Sequence, residues 1–157
     1  MSWLLDADVL SQPAKRKGDP RVVAWLEAEK DACCTSAVVI AQLAYWVRTK
    51  EGRQREALQA WLTRMVEAMH GRIHGFNVWV AHVWADQEHL LTQAGLRVPV
   101  EDSSIAATAR HHNLPPLPAT ATAFRRPALK VFHQLQSFSR CTAPYAPIPR
   151  VPHPRPP

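Results

Sequence analysis

The sequence predicts an α/β fold: a mostly parallel sheet with helices on both faces. Three observations predict it. Short apolar runs of strand length, at residues 2–5, 33–37 and 72–76, alternate with longer segments of helical period. Helix punctuation falls between them, with Asp19-Pro20 and Asn77 as starts and Gly95 as a stop. The length of 157 residues, with 46% hydrophobic and 20% charged, suits one core of ordinary size and not a disordered chain.

Ser2 to Leu5 reads as a buried strand ending on a carboxylate, Asp6. Asp8 is placed to cap the short turn that follows, and Pro13 closes it. Asp19 at the N-cap and Pro20 at the first position open a helix whose apolar side is Val22, Val23, Trp25 and Leu26. Cys33 to Ala37 is the next strand. It runs into a nearly all-apolar helix, residues 38–47, whose one strongly polar residue is Gln42.

A longer helix spans about Arg53 to His70. Its Leu58, Trp61, Leu62, Met65, Val66 and Met69 make a single apolar stripe, read as core or dimer packing. Arg72 to Phe76 is a third short strand, and Asn77 caps a helix that runs to about Ala94 and stops at Gly95. Asp102 begins the helix DSSIAATARHH. A further strand is expected after Asn113, but LPPLP puts three prolines in five residues, and proline is hostile to an inner strand. Leu129 to Phe132 reads as a last, edge strand. The folded unit is thus residues 1–132, and residues 133–157 are a proline-rich, basic, poorly ordered tail.

Charge is unevenly spread. All 13 acidic residues lie at or before Asp102, against 12 Lys and Arg. After it come 7 Lys and Arg and no acid. The excess suits nucleic acid or a merely solvated tail. No apolar run reaches membrane-span length, the start MSWLLDADVL lacks a signal-peptide pattern, and three cysteines, two of them adjacent, make no disulfide framework. A cytoplasmic protein is expected.

In a parallel sheet, ligands bind beyond the C-terminal strand ends. Asp6 sits at one such end, and Asp102, starting a later helix, is placed to approach it. Two acids at strand-to-helix junctions suit a hard cation such as Mg2+ or Mn2+, although an Asp at a helix start is most often a cap. Such an ion can activate water for phosphodiester hydrolysis.

Here the chain resembles a known family. SWLLDADVLS at 2–11, TSAVVIAQLAYWV at 35–47, VEDSSIAATARHHNL at 100–114, and FRRP with LKVF at 124–132 resemble, in order and spacing, the motifs of PIN-domain ribonucleases. These are the VapC-type toxins of type II toxin–antitoxin pairs. The resemblance implies a three-layer sandwich with four to five short strands. It also implies RNA cleavage by acids around Mg2+ or Mn2+, a homodimer, and a cognate antitoxin.

Carried over residue by residue, the resemblance implies a degraded site. Asp6 and Asp102 match the first and third acids. Gln42 stands where a Glu is expected, and Ala123 where an Asp is expected. Gln is nearly isosteric with Glu, but it cannot neutralise a cation or act as a general base. Asp8 is the available substitute ligand, alongside its reading as a cap. Arg125 and Arg126 are the candidate phosphate contacts, since guanidinium binds phosphate bidentately. Glu101, Asp86 and Glu88 are read as solvated, His111 and His112 as surface histidines at a helix end, and Cys33 and Cys34 as packing.

Residues 115–123 break abruptly from the family pattern, which resumes at Phe124 with no change in length. A pair of compensating frame changes in the coding DNA would produce this, and a second slip the tail. The expected function is therefore a VapC-like metal-dependent endoribonuclease, weakened by two lost acids. The alternative is a catalytically inactive PIN-fold protein that binds only RNA or an antitoxin.

Overall fold

The computed structural model describes residues 2–114. Its sheet is built from β1 (Trp3–Leu4), β2 (Cys33–Ser36) and β3 (Ile73–His74), side by side in that order and all parallel. β1 pairs with the first half of β2 (Trp3 with Cys33, Leu4 with Cys34) and β3 with its second half (Thr35 with Ile73, Ser36 with His74). All four residues of β2 are buried. Short β-branched and small residues suit a strand covered on both faces. Beyond the ladder, the Leu5 amide donates to the Cys34 carbonyl at 2.9 Å and the Thr35 hydroxyl donates to the Leu5 carbonyl at 3.0 Å. These bonds carry the sheet's order up to Asp6.

The helices are α1 (Ala7–Leu10), α2 (Pro20–Glu29), α3 (Ala37–Arg48), α4 (Gly52–Ala68), α5 (Val78–Gln93) and α6 (Val100–His111). Alternation along the strands explains the layers. Trp3, Leu5 and Cys33 face a core made with α1 to α4, while Leu4 and Cys34 face α6, against Ala109 and Ile105. The first core is anchored by Val39, Leu43 and Val47, one face of α3, with Leu58 and Leu62 of α4, Met69 at its C-cap and Val22 of α2. Each such buried aliphatic contributes roughly 1.5–3 kcal/mol relative to exposure. Trp61, Met65 and Val66 complete the predicted stripe, and Trp61 meets Trp46 edge to face at 6.4 Å. The stripe is core.

α5 and α6 form a helical pair that packs through small side chains. Ala106, Ala107, Thr108 and Ala109 are buried, as is Ser103. Gln87 of α5, fully buried, donates through Nε2 to both the carbonyl and the hydroxyl of Ser103, each at 2.9 Å. Both helices end in the same left-handed device. Gly95 (φ 69°) lets Leu96 donate to Leu91, and Asn113 (φ 52°) lets Leu114 donate to Ala109, both at 2.9 Å. Each closing leucine packs back on its own helix, Leu96 against Leu91 and Leu114 against Ala109.

The sequence-based boundaries hold to within a few residues, with instructive differences. Asp19 and Asn77 cap α2 and α5 as expected, each accepting backbone amides of its helix. The first cap is Asp6 and not Asp8: the Asp6 carboxylate accepts from the Val9 amide at 2.8 Å. α6 begins at Val100, before Asp102, because the Pro99 carbonyl already accepts from Ser103 at 2.9 Å. The described residues hold three strands. The expected strand at 129–132, the segment 115–123 and the tail 133–157 lie outside them.

The connection from α1 to α2 is tightly wound. Gln12 bridges it, donating from Nε2 to the Asp8 carbonyl at 3.1 Å and accepting from the Asp19 amide at 3.0 Å. A Cβ on Gly18 would stand 2.1 Å from the Gln12 carbonyl oxygen. Backbone cannot yield to that approach. Gly18→Ala is expected to lower stability by about 1–3 kcal/mol, read from chemical denaturation, whereas Gly75→Ala, which meets nothing within 4 Å, stays within about 1 kcal/mol of the parent.

Candidate functional site

Asp6 leaves the C-terminal end of β1 and caps α1, half-buried. Burial pushes its carboxyl above the ordinary Asp range, against the pull of the Val9 amide; the charges of Asp8 and Asp102 push it further, and Lys15 opposes them. Asp102 lies in the first turn of α6, where a negative charge meets the helix's positive end. Its carboxyl is also raised, by burial first, then by Glu101 and Asp8. Three acids therefore stand within each other's field, two from the first strand-to-helix junction and one from the last described helix.

Asp8 belongs to this neighbourhood, and its charge acts on both other acids. Its carboxylate is engaged by Lys15, whose Nζ lies 3.2 Å from Oδ1. Among the described residues, no three His, Cys, Asp or Glu side chains stand together as a ready metal cage.

Gln42 is half-buried on α3, the helix that packs against both α1 and α6 and so lies between the elements carrying the acids. The same helix is fixed at its start by Ser36, whose hydroxyl accepts from the Val39 amide at 3.3 Å. Ala123, Arg125 and Arg126 lie outside the described residues.

Other sequence-based expectations fare differently. Glu101 and Asp86 are exposed, as expected. Glu88 is not simply solvated: it is half-buried and accepts the Ser103 hydroxyl, fastening α5 to the start of α6. Cys33 and Cys34 are buried and unbridged, and burial pushes the Cys33 thiol up to about 11, so it packs and does not react. His111 and His112 are half-buried, not loose on the surface. The His112 ring packs on His74 of β3 with centroids 4.0 Å apart, and His111 meets His112 edge-on at 4.8 Å. No sequence signal links His74 to a helix end so distant along the chain.

No family model matches the chain. Individual relatives do. It is 32% identical over 114 residues to Toxin FitB of Neisseria gonorrhoeae (strain ATCC 700825 / FA 1090), a match covering 71% of this chain and 82% of that protein. The chain belongs to the PIN-domain family of VapC-type toxin ribonucleases. It is also 29% identical over 112 residues to VapC ribonuclease Y4jK of Sinorhizobium fredii (strain NBRC 101917 / NGR234), covering 69% of this chain and 80% of that one. The crystal structure of FitAcB from Neisseria gonorrhoeae matches at a TM-score of 0.71 and 27% identity, covering 83% of this chain and 92% of the other. The VapC-type fold accounts for the parallel sheet flanked by helices described above. Among the described residues of this VapC-type chain, no helix is long and apolar enough to cross a membrane.

Two predictions follow from the charges. A raised carboxyl that is ionised at neutral pH weakens the folded state. Asp6→Asn removes that charge and keeps an oxygen for the Val9 amide, so its Tm is expected to rise by about 2–5 °C at neutral pH, read by thermal melting. An unchanged or lower Tm would contradict the cost of burying the Asp6 charge.

The histidines act in the opposite sense. Burial, then His111, holds His74 below its ordinary 6.5; burial, then His74 and His111, does the same for His112. The folded state then binds fewer protons than the unfolded one just below the ordinary value. Their contribution is complete above that value and is lost as pH falls through it toward the depressed folded values. Tm should fall between about pH 7 and pH 5 in the parent and fall less in His112→Gln; parallel curves for the two would remove the histidines from the account.

Proposed function

We propose that this chain is a metal-dependent endoribonuclease toxin with a reduced rate, acting on RNA and restrained by a cognate antitoxin. The observation that carries the reading is that Asp6, just past the C-terminal end of β1, and Asp102, in the first turn of α6, are both half-buried with carboxyls raised by burial, and that the charge of Asp102 is felt at Asp6. The donor chemistry fits a hard divalent ion, Mg2+ or Mn2+, because carboxylate oxygens are its preferred ligands and the like charges here are the ones it would relieve. Family membership supports the ribonuclease and antitoxin parts of the reading. It also supports a homodimer working in the cytoplasm.

Asp6 and Asp102 would hold the ion, with Asp8 within their field. The ion would supply an acidified water and a positive charge facing the phosphodiester. Gln42 offers a carbonyl oxygen that orients without taking a proton. At Ala123 no ligand atom remains at all. Binding survives such losses better than catalysis does, because magnesium keeps several waters in any site. Positioning of the attacking water suffers, and a misplacement of about 1 Å can cost about a hundredfold. Arg125 and Arg126 are assigned to phosphate contacts.

The competing reading is a fold that binds RNA or antitoxin without cutting. It is favoured by the half-buried Gln42, where the motif calls for an acid. A cleavage assay on structured RNA with Mg2+ or Mn2+ separates the two. Slow cutting by the parent, abolished in Asp6→Asn and raised about tenfold or more in Gln42→Glu, is expected. Equal background from the parent and Asp6→Asn would leave the binding reading, and cutting regained by Gln42→Glu with Ala123→Asp would then show an intact scaffold.

A further inference from the structure

Where α5 begins, every residue from 75 to 79 is exposed, and that run contains Phe76, Val78 and Trp79. Phe76 and Trp79 are each 39% exposed and Val78 61%. Large apolar side chains left in water side by side mark a surface that meets a partner. They stand on a held backbone. Asn77 Oδ1 accepts from the Trp79 amide at 3.0 Å and from the Val80 amide at 3.1 Å, and Val80, next along, is fully buried. The surface is therefore ordered before any ligand arrives.

Histidine rings lie at the same end of the molecule. His74 ends β3, just ahead of Gly75 and Phe76. The His112 ring lies over His74 at 4.0 Å, tilted by 31°, and His111 meets His112 edge-on at 4.8 Å. These contacts bring the end of α6 to the start of α5. The Gln87–Ser103 bond agrees: Trp79 lies as far before Gln87 as His111 lies after Ser103, so in two helices running in opposite senses both fall at one end.

Charge selects the class of ligand. No Asp or Glu occurs from 68 to 85 or from 103 to 114, the two stretches that build this end. They carry His70, His74, His82, His111 and His112, with Arg72 and Arg110. Arg72 is engaged by the Lys30, Cys33 and Ala68 carbonyls, and half-buried Arg110 feels the charge of Asp86, so imidazole is the polar chemistry this end offers. Val78 is the one aliphatic residue in the exposed run, whereas a partner helix would bury several. Flat rings with imidazoles and no opposing carboxylate suit bases stacked on the rings, with their phosphates alongside.

We propose that Phe76 and Trp79, with the rings of His74, His111 and His112, form a stacking platform for the unpaired bases of single-stranded RNA. The inference rests on the ribonuclease reading above for the choice of RNA as ligand, and it needs no bound metal. His74 ends β3 and Asp6 follows β1, on either side of β2, so the platform flanks the edge of the sheet that Asp6 leaves. These are binding residues and take no part in bond breaking.

The test is binding of a fluorescein-labelled single-stranded oligoribonucleotide to the full-length chain, in EDTA so that no cutting intervenes, followed by fluorescence anisotropy. Trp79→Ala and Phe76→Ala are each expected to weaken binding about five- to fiftyfold, the loss of one stacked base. Trp79→Phe, which keeps a flat ring, stays within about threefold of the parent. An abasic strand of the same length, with phosphates but no bases, binds the parent and Trp79→Ala alike. Val78→Glu alters an exposed side chain and sets a like charge against the RNA; it is expected to weaken binding about three- to tenfold, with no change for Gln59→Glu on the exposed face of α4. If the alanine variants melt early, equal affinity of Val78→Glu and Gln59→Glu overturns the platform. With folded variants, unchanged affinity in both Trp79→Ala and Phe76→Ala overturns it and leaves the ribonuclease reading standing. Equal weakening on the abasic strand overturns it too, since phosphate contact alone would remain. A changed oligomeric state by light scattering, with RNA affinity unchanged, gives this face to a second copy instead. A parent that neither binds nor cuts RNA overturns both readings.

Discussion

The structure is organised around carboxylates that repel one another and are nevertheless held together. Burial strips water from Asp6 and Asp102, and each lies in the field of other acids. Left to itself, a chain would separate such groups. Here the separation is prevented by packing: one acid is tied to the end of β1 by its cap to Val9, and the other is carried by a helix wedged against the sheet. The destabilising term is confined to a few side chains, while the term that opposes it is spread over the core. That imbalance is the ordinary signature of a site retained for function at the expense of stability.

Each supporting element has a simple cause. Alternation along β1 and β2 sends Leu5 and Cys33 to one layer and Leu4 and Cys34 to the other, so a very short sheet still joins two cores. The run of Ala106, Ala107, Thr108 and Ala109 lets α6 lie close to its neighbours, and Gln87 and Glu88 fasten its first turn through Ser103. Asp102 therefore enters the site from a backbone that is well held. Gln42 fits the same scheme: on a helix wedged between α1 and α6, a side chain of Glu's size and shape can lose its charge without disturbing the packing around it.

Two further charge arrangements surround this centre. Lys15 pairs with Asp8, and its positive charge opposes the upward push on the Asp6 carboxyl. The rings of His74, His111 and His112 join the end of α6 to β3, and burial holds His74 and His112 below their ordinary value. α6 thus carries a half-buried acid at its start and packed histidine rings at its end.

The amino-acid order alone determined the class of fold, the helix starts at Asp19 and Asn77, the stop at Gly95 and the core stripe on α4. These depend on local propensity and on periodicity, which act within a few residues and are written in the sequence. Other features were decided only in three dimensions. Asp6 rather than Asp8 caps α1, because the cap is chosen by where β1 ends in the ladder. Lys15 reaches Asp8 because the turn closes on Gly18, and His74 meets His112 because β3 and α6 are brought together by the sheet and not by the chain. Pairings of this kind carry no period and no fixed spacing. They arise when separate elements pack, and packing is a property of the folded molecule as a whole.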